Sequence, residues 1–448
     1  MDEREQSVTG ARGARRRDVI AGGGVLAGAW LAAACGALGG PAGPGTTAGG
    51  RLVLWPEHSG GQFDVLWPQI DERFRAAFPS VEYQREARPA REGVAFLQLL
   101  VAAAAAGSAP DVYQDDVVLN RLQVTVPAGI PRAVDEYYAR LPNLKRIFPW
   151  TRRVAELRGK LWGIPHEVEF VSVFYNKGAF EKAGVKPGPQ TWDDFARLGQ
   201  TLKVAGTLPL VAGNLGNYRH LHGYLMAATL GKAGMDDVRA GKGRWDAGGA
   251  VDAAQTLLDL SAAGILPLDP LDPAVAYPAD FYAGKAAQIA LGTWAIASYE
   301  PARRQNQGFE FGQYALPSPR RGLAPQLCGG VGGGFSISSQ AKSPDTGAAF
   351  VDFLYSPPLQ KLLIESVFHV PPVPFKVEDF DVAPGNREAL SLIQRFEQAG
   401  IAPAFWMVQT SRQFDEYGPL LERLLKKQLT PKELGLRMQQ LWDESKPE

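Results

Sequence analysis

Two acidic residues, Asp115 and Glu169, each lie beside a predicted strand. Their side chains could therefore face each other and act together in catalysis. Two carboxyl groups that face each other across a bound glycan are the arrangement that cleaves glycosidic bonds, with one residue as the acid and the other as base or nucleophile. The spacing of these two residues neither demands nor excludes such a pair. A secreted glycan-cleaving enzyme therefore stays open as one alternative.

Three other patterns do not support the chemistry that they resemble. His220 and His222 look like a metal pair, but two positions along a helix point the rings apart. The glycine run 329–334 lacks the Lys-Ser or Lys-Thr that ends a phosphate-binding loop, so it favours a close approach of backbone instead. No nucleophile-elbow pattern supports a catalytic triad. The sequence therefore predicts no catalytic residue, no metal site and no cofactor.

Composition and charge narrow the class of protein. The 448 residues include 47 Lys and Arg against 47 Asp and Glu, which gives a formal net charge of zero. Proteins that bind nucleic acid usually carry a basic excess, so no nucleic-acid partner is expected. The two cysteines, Cys35 and Cys328, cannot build a disulfide scaffold. The length predicts two or three domains, each large enough to bury a core.

The first 35 residues have the pattern of an export signal. Arg16 and Arg17 precede an apolar stretch over residues 19–34 that is too short for a permanent membrane helix. The arginine pair resembles the twin-arginine export signal, although the general secretion route is not excluded.

The end of this stretch resembles a bacterial lipoprotein cleavage box, in which Cys35 would become the lipid-bearing N-terminus. The alternative is a buried Cys35 thiol in an N-terminal helix. Residues 36–50 are mostly Gly, Ala, Pro and Thr, which predicts a flexible tether. The expected location is the outer face of the cell membrane, periplasmic or on the cell surface.

Strands and helices alternate from residue 51 onward. Predicted strands at 51–55, 81–83 and 110–113 are separated by helices with apolar residues at spacings of three and four. This alternation predicts a parallel sheet with helices on both faces, and ligands bind such sheets at the carboxyl ends of strands. Those ends carry Glu57, His58, Asp115 and Asp116.

A second region follows Trp162. Thr191 and Asp194 form a predicted capping box at the start of a helix. The apolar patterns predict strands at 170–175, 208–212 and 287–291, and helices at 219–230, 249–263, 344–355, 386–399, 413–427 and 431–443.

Four separated blocks resemble one protein family. The sequences WGIP, FYNK, FEKAG and TWDDF occur in this order over residues 162–195, and FYAGKAA with GTW occurs over 281–294. Residues 316–354 and 360–371 supply the third and fourth blocks. Together they resemble the extracellular solute-binding proteins of ABC importers, in the sugar-binding, maltodextrin-binding-protein-like group.

The resemblance implies an α/β, two-lobed periplasmic-binding-protein-like fold of type II, in which each lobe is a mostly parallel sheet flanked by helices. The first crossing between lobes would lie near 165–169, the second near 316–323 and the third near 370–374. Lobe 1 would then contain residues 51–165 and 320–370, and lobe 2 residues 166–318 and 371–448. A ligand in the cleft would favour the closed form.

The implied function is capture of a carbohydrate, without catalysis, and its delivery to the permease subunits of an ABC importer by a lipid-anchored monomer. The same fold with a non-sugar solute stays open. Sugar hydroxyls need carboxylates, amides and basic groups, and sugar C–H faces need aromatic rings. The candidate ligand residues are Glu57, His58, Asp115, Asp116, His166, Glu167, Glu169, Asn214, Asn217, Tyr218, Trp294 and Trp406.

Overall fold

The computed structural model describes residues 48–56, 63–87, 94–268, 277–306 and 308–447. The predicted export signal with Cys35, most of the predicted tether, and the candidate ligand residues Glu57 and His58 lie outside these ranges. None of the described helices is long and apolar enough to cross a membrane.

The strands of the described residues are named in chain order. They are β1 Gly50–Trp55, β2 Val81–Arg85, β3 Val112–Asp115, β4 Glu156–Leu157, β5 Lys160–Leu161, β6 Ile164–Pro165, β7 Val168–Asn176, β8 Gln288–Gly292, β9 Phe311–Tyr314, β10 Cys328–Val331, β11 Gly334–Ile337 and β12 Ala402–Pro403.

The α-helices are named in the same way. They are α1 Phe63–Ala77, α2 Val94–Ala105, α3 Leu119–Thr125, α4 Asp135–Arg140, α5 Pro149–Arg152, α6 Lys177–Ala183, α7 Trp192–Val204, α8 Leu215–Arg239, α9 Gly249–Ala262, α10 Ala279–Tyr282, α11 Ile296–Gln305, α12 Pro344–Leu354, α13 Pro357–Val367, α14 Pro384–Ala399, α15 Ser411–Leu425 and α16 Pro431–Ser445. Short 3-10 turns cover Leu144–Arg146, Arg153–Ala155, Thr293–Ala295, Val377–Asp379 and Phe405–Met407.

The first sheet has the strand order β2-β1-β3-β11-β6. Strands β1, β2 and β3 are parallel, as the alternation of strands and helices predicts. Strand β11 returns from a distant part of the chain and pairs antiparallel with both β3 and β6. In the first core, the Phe350 ring of α12 lies 6.4 Å from the Phe335 ring of β11 and meets Phe74 of α1 edge to face at 4.9 Å. This sheet and its helices form the first lobe.

The second sheet has the order β12-β10-β7-β8, and β9 also pairs with β7. Here the arrangement differs from the parallel one expected, because β7 is antiparallel to β8, β9 and β10. Strand β7 carries the chain away from the first lobe, whereas β8 and β10 carry it back. A separate apolar core, with Phe174, Tyr224 and Tyr299 fully buried, surrounds this sheet and defines the second lobe.

Local signals position several elements of the second lobe. The predicted capping box is present, because Thr191 Oγ1 accepts from the backbone N–H of Asp194 at 3.1 Å and the Asp194 carboxylate accepts from the backbone N–H of Thr191 at 3.2 Å. The predicted strand at 208–212 is reduced to isolated parallel bridges, Leu208 to Ala286 and Val211 to Ile289. Helix α8 is longer than predicted and is kinked at Gly231, where φ is +68°.

Two passages of chain between the sheets lie side by side. The first passage, His166–Glu167, joins β6 to β7, and the second, Gly332–Gly333, joins β10 to β11. His166 N–H donates to the Gly333 carbonyl at 3.1 Å, and Gly332 N–H donates to the Glu167 carbonyl at 3.2 Å. The second passage follows β10, which still belongs to the second sheet, so it comes later than the 316–323 segment expected from the resemblance.

A third passage leaves α13 and reaches the second lobe near Val377. Val168 N–H donates to the Val370 carbonyl at 2.8 Å, which ties this passage to the first one. The two lobes are therefore joined by three hydrogen-bonded segments at one place. The full lobe boundaries expected from the resemblance stay predictions.

Candidate functional site

Four rings from three separate segments meet at the edge of the second sheet that faces the first lobe. We call His220, Trp294, Phe405 and Trp406 the aromatic group. The His220 ring lies 4.7 Å from Trp294 and 5.5 Å from Trp406, and the two indoles meet edge to face at 5.9 Å. Trp406 is anchored through its Nε1–H, which donates to the Val331 carbonyl at 3.2 Å. Trp294 is only half-buried, so part of its surface stays open to a ligand.

The position of Trp294 follows from the glycine two residues before it. Gly292 ends β8 opposite Val171, close to where β7 begins. A Cβ atom at position 292 would lie 1.7–2.1 Å from three atoms of the indole ring. Only glycine therefore lets the Trp294 side chain fold back over the end of the strand, which is a physical reason for the Gly-x-Trp pattern.

The carboxylate of Glu169 lies beside the glycine run. Glu169 is on β7, paired with Gly330, and is partly exposed. A Cβ atom at Gly332 would be 1.9 Å from the carboxyl carbon of Glu169, and one at Gly333 would be 2.9 Å from Nε2 of His166. The run thus permits close packing of these side chains on backbone, as the sequence predicts.

Asp115 brings a second carboxylate from the first lobe. It ends β3 opposite Gly334 and is buried, with Arg121 Nε 3.5 Å from its Oδ1. Asp116 is more exposed and lies 3.8 Å from the same Arg121 nitrogen. Neither oxygen of Asp115 has a hydrogen-bond partner among the described residues. Burial raises the pKa of the Asp115 carboxyl above its usual range; Arg121 opposes this rise and Asp116 adds to it.

Helix α8 contributes a neutral imidazole to the aromatic group. Burial, reinforced by the nearby charge of Arg219, lowers the pKa of His220 to about 3, so the ring is uncharged at neutral pH. Its Nδ1 atom has no hydrogen-bond partner within the described part of the chain. Buried polar atoms are normally paired, so an unpaired nitrogen beside two indoles is suited to a ligand hydroxyl.

The structure separates the remaining sequence-based candidates into two places. His166 and Glu167 are buried in the first passage between the lobes. Asn214 caps α8 by accepting from the Asn217 N–H at 3.0 Å, and Tyr218 is buried, with its hydroxyl donating to the Pro267 carbonyl. Asn214, Asn217 and Tyr218, at the start of α8, do not join the aromatic group.

Sequence reasoning missed His220 as a ligand candidate, together with Arg121 and Phe405. The sequence signal that could have identified His220 is its position in the first turns of a helix that follows a strand-like segment. The sequence alone does not show which face of α8 is turned toward Trp294 and Trp406, so its pattern suggests His220 only as half of a metal pair with His222. The two rings do diverge: His222 is bonded through Nδ1 to the Tyr417 hydroxyl on another side of the helix.

Comparison with known proteins identifies the family. The profile of the bacterial extracellular solute-binding proteins matches residues 69–361. The chain belongs to this family. This solute-binding protein is 24% identical over 226 residues to the maltooligosaccharide ABC transporter solute-binding lipoprotein of Streptococcus pneumoniae strain R6, covering 49% of the present chain and 50% of the relative. It is 23% identical over 211 residues to the multiple sugar-binding protein of Streptococcus mutans, covering 44% and 47%. The chain spans about half the length of the curated relatives it matches.

Solved structures support the fold of this solute-binding protein. A chitin oligosaccharide binding protein superposes with a TM-score of 0.74 at 22% identity, covering 88% of this chain and 98% of that one. The GacH receptor of Streptomyces glaucescens, whose structures include an acarbose complex, gives 0.69 at 20% identity, covering 88% and 98%. The two-lobed α/β fold predicted from the sequence is confirmed.

Proposed function

We propose that this solute-binding protein captures a carbohydrate between its lobes and delivers it to the permease subunits of an ABC importer. The observation that carries the proposal is the aromatic group at the edge of the second sheet, with the Glu169 carboxylate on the same edge. Indole faces pack against sugar C–H groups, and carboxylates accept from sugar hydroxyls. The names of the curated relatives and structural neighbours, which bind oligosaccharides, support the same ligand class.

Closure follows from the division of these groups between two lobes. Trp294, Trp406 and Glu169 belong to the second sheet or its adjoining turns, and Asp115 belongs to the first sheet. A ligand that contacts both sets binds the closed form better than the open form, so it shifts the population toward closure. The three adjacent passages between the sheets would serve as the hinge.

The activity that we propose is binding and release of the carbohydrate, without bond cleavage. Glu169 and Asp115 act as hydrogen-bond partners of sugar hydroxyls in this proposal. The protein works as a monomer, exported and held at the outer face of the membrane through a lipid on Cys35. Mass spectrometry of the mature protein would test the anchor: a diacylglycerol-modified N-terminal Cys35 is expected, and an unmodified N-terminus would contradict it.

Isothermal titration calorimetry with a panel of solutes tests the function. The panel contains malto-, chito-, xylo- and galactosyl-oligosaccharides, together with a polyamine and a sugar phosphate. We expect saturable heat with at least one oligosaccharide class and unchanged oligosaccharide length by chromatography after incubation. Heat only with a non-sugar solute would overturn the ligand class, and shortened products would overturn the binding-only reaction.

A further inference from the structure

Three titratable side chains are buried together at the junction of the lobes, outside the aromatic group. We call His166, Glu167 and His369 the crossing cluster. Their exposed fractions are 4%, 7% and 5%, so each has almost no contact with solvent. Burying such groups is costly unless they are paired with one another or with an ion.

The nitrogen and oxygen atoms of the crossing cluster converge. Oε2 of Glu167 lies 3.1 Å from Nδ1 of His369, and Nε2 of His369 lies 2.7 Å from Nδ1 of His166. One such atom from each of the three residues lies within 4.8 Å of the others. The second nitrogen of His166 is 2.9 Å from Nε2 of Gln114 on β3.

Backbone geometry, rather than sequence proximity, builds this cluster. Phe368 ends α13 in the left-handed conformation, with φ at +53°, and this turn directs His369 back toward the first passage. The Val168–Val370 hydrogen bond described above holds the two passages in register. The imidazoles of His166 and His369, 203 positions apart, consequently lie with ring planes only 11° from parallel.

A small cavity borders the cluster. It has a volume of about 30 Å³, and its wall includes Gln114, His166 and His369 together with the apolar side chains of Trp67 and Phe335. That space is large enough for a single water molecule. The two imidazoles thus border both the Glu167 carboxylate and a space that could hold one small additional ligand.

We propose that the crossing cluster binds one divalent transition-metal ion of the Zn²⁺ class. Two imidazole nitrogens and one carboxylate oxygen are a common three-ligand set for Zn²⁺, and a water in the cavity would complete four-coordination. Ligand atoms about 2.0–2.1 Å from a tetrahedral ion lie roughly 3.3 Å apart. The cluster atoms now lie within 4.8 Å of one another, with 2.7 Å between the closest two nitrogens, so the side chains must rotate to reach that separation.

The Gln114 amide could hold His166 in place in the proposed metal site by bonding to the ring nitrogen that does not bind the ion. Metal-binding imidazoles usually bond through their other nitrogen to a neighbouring polar group, which fixes ring orientation. The amide nitrogen of Gln114 now faces Nε2 of His166; with the amide rotated, its oxygen would accept the Nε2–H of a His166 that binds the ion through Nδ1. The bound ion would link the first passage to the third and restrict the relative motion of these two segments.

Zn²⁺ titration of the full mature protein, in competition with a chromophoric chelator, tests the proposal. We expect one high-affinity Zn²⁺ per chain, and affinity at least tenfold weaker in His369→Gln and in Glu167→Gln. Glu167→Gln keeps the shape of the side chain, so it separates loss of a ligand from loss of packing. His222→Gln is the matched control, because His222 is an equally buried histidine bonded to Tyr417 elsewhere.

Spectroscopy and folding measurements complete the test. Cobalt(II) bound in place of zinc should give the intense visible bands of a tetrahedral nitrogen–oxygen site, and these should be absent from His369→Gln. Far-ultraviolet circular dichroism checks that each variant is folded. Absence of stoichiometric binding to the wild type, or equal binding to the folded wild type, His369→Gln and Glu167→Gln, would overturn the proposal and leave the cluster as a hydrogen-bond network.

Discussion

Replacing Gly332 with alanine should weaken carbohydrate binding without weakening the fold. The added methyl group would lie 1.9 Å from the carboxyl carbon of Glu169 and 2.2–2.4 Å from its two oxygens. Non-bonded carbon atoms prefer separations of about 3.5–4.0 Å. The Glu169 carboxylate must therefore move by about 1.5 Å or more. The backbone at Gly332 does not have a positive φ, so alanine can adopt it.

The size of the effect follows from the hydrogen bond that this movement breaks. A hydrogen bond at about 2.8 Å that is stretched beyond about 3.5 Å no longer contributes. Hydrogen bonds to charged groups contribute about 1.5–3 kcal/mol, which corresponds to roughly a 10- to 150-fold loss of affinity. The free energy of unfolding should change by less than about 1 kcal/mol, because the displaced atoms end a partly exposed side chain and Gly→Ala reduces the entropy of the unfolded chain.

Calorimetry with the oligosaccharide identified in the panel measures the affinity, and urea denaturation measures the stability. Gly178→Ala is the matched control, since its Cβ would meet only Oδ1 of Asn176 at an ordinary 3.4 Å. It lies in the first turn of α6, just beyond the end of β7 that is about 23 Å along the strand from Glu169. Glu169→Gln should lose affinity to a similar degree, and the double variant should lose less than the sum of the two losses.

A Gly332→Ala protein that binds within threefold of the wild type would refute this reasoning. If Glu169→Gln also bound normally, Glu169 would not be a ligand residue. If Glu169→Gln alone lost affinity, the carboxylate would reach the sugar from a position that the methyl group does not disturb.

Three further results are expected. Trp294→Ala should weaken oligosaccharide binding by at least about 30-fold, since truncating a central tryptophan commonly costs 2 kcal/mol or more; equal loss in Trp192→Ala, a tryptophan of α7, would contradict this. Burial lowers the pKa of His222 to about 4, below its unfolded value near 6.5, so the unfolded state binds more protons between these values. The free energy of unfolding should therefore decrease as the pH is lowered from about 6.5 to about 4. The contribution of His222 to this decrease is up to about 1.4 kcal/mol per pH unit. Urea titrations at several pH values should show that the free energy of unfolding depends less steeply on pH in His222→Gln than in the wild type. An unchanged pH dependence would contradict this role of His222. Thr191→Ala should lower the free energy of unfolding by about 1 kcal/mol in the same assay, and no change would mean that its capping box with Asp194 contributes little.

Much of the fold could be predicted because its signals are local. The parallel strands β1 to β3, the capping box at Thr191 and most helices of the second lobe follow from apolar spacing and from cap residues. Antiparallel pairing of β7 was not predictable in this way, because the strand is apolar on both faces and its pattern does not reveal the direction of its partners.

The candidate site was only partly predictable. Trp294, Glu169 and Asp115 are predicted from strand ends and family resemblance, and Trp406 from a short apolar run. The structure places all four beside the crossing between the lobes. Asn214 and Tyr218 also follow a strand-like segment, but the structure uses one as a helix cap and buries the other. A polar residue after a strand can cap the next helix or face a ligand, and the sequence signal is the same.

The sequence by itself determined the periodic elements, the family and the residue types available for a ligand, because these depend on neighbours a few positions apart. Only the tertiary structure brought His220 against Trp294 and Trp406, and His369 against His166 across 203 positions. Such contacts depend on the rotation of a helix about its axis and on the angle at which a strand crosses between lobes. Both are set by packing of the whole chain, so no local pattern specifies them.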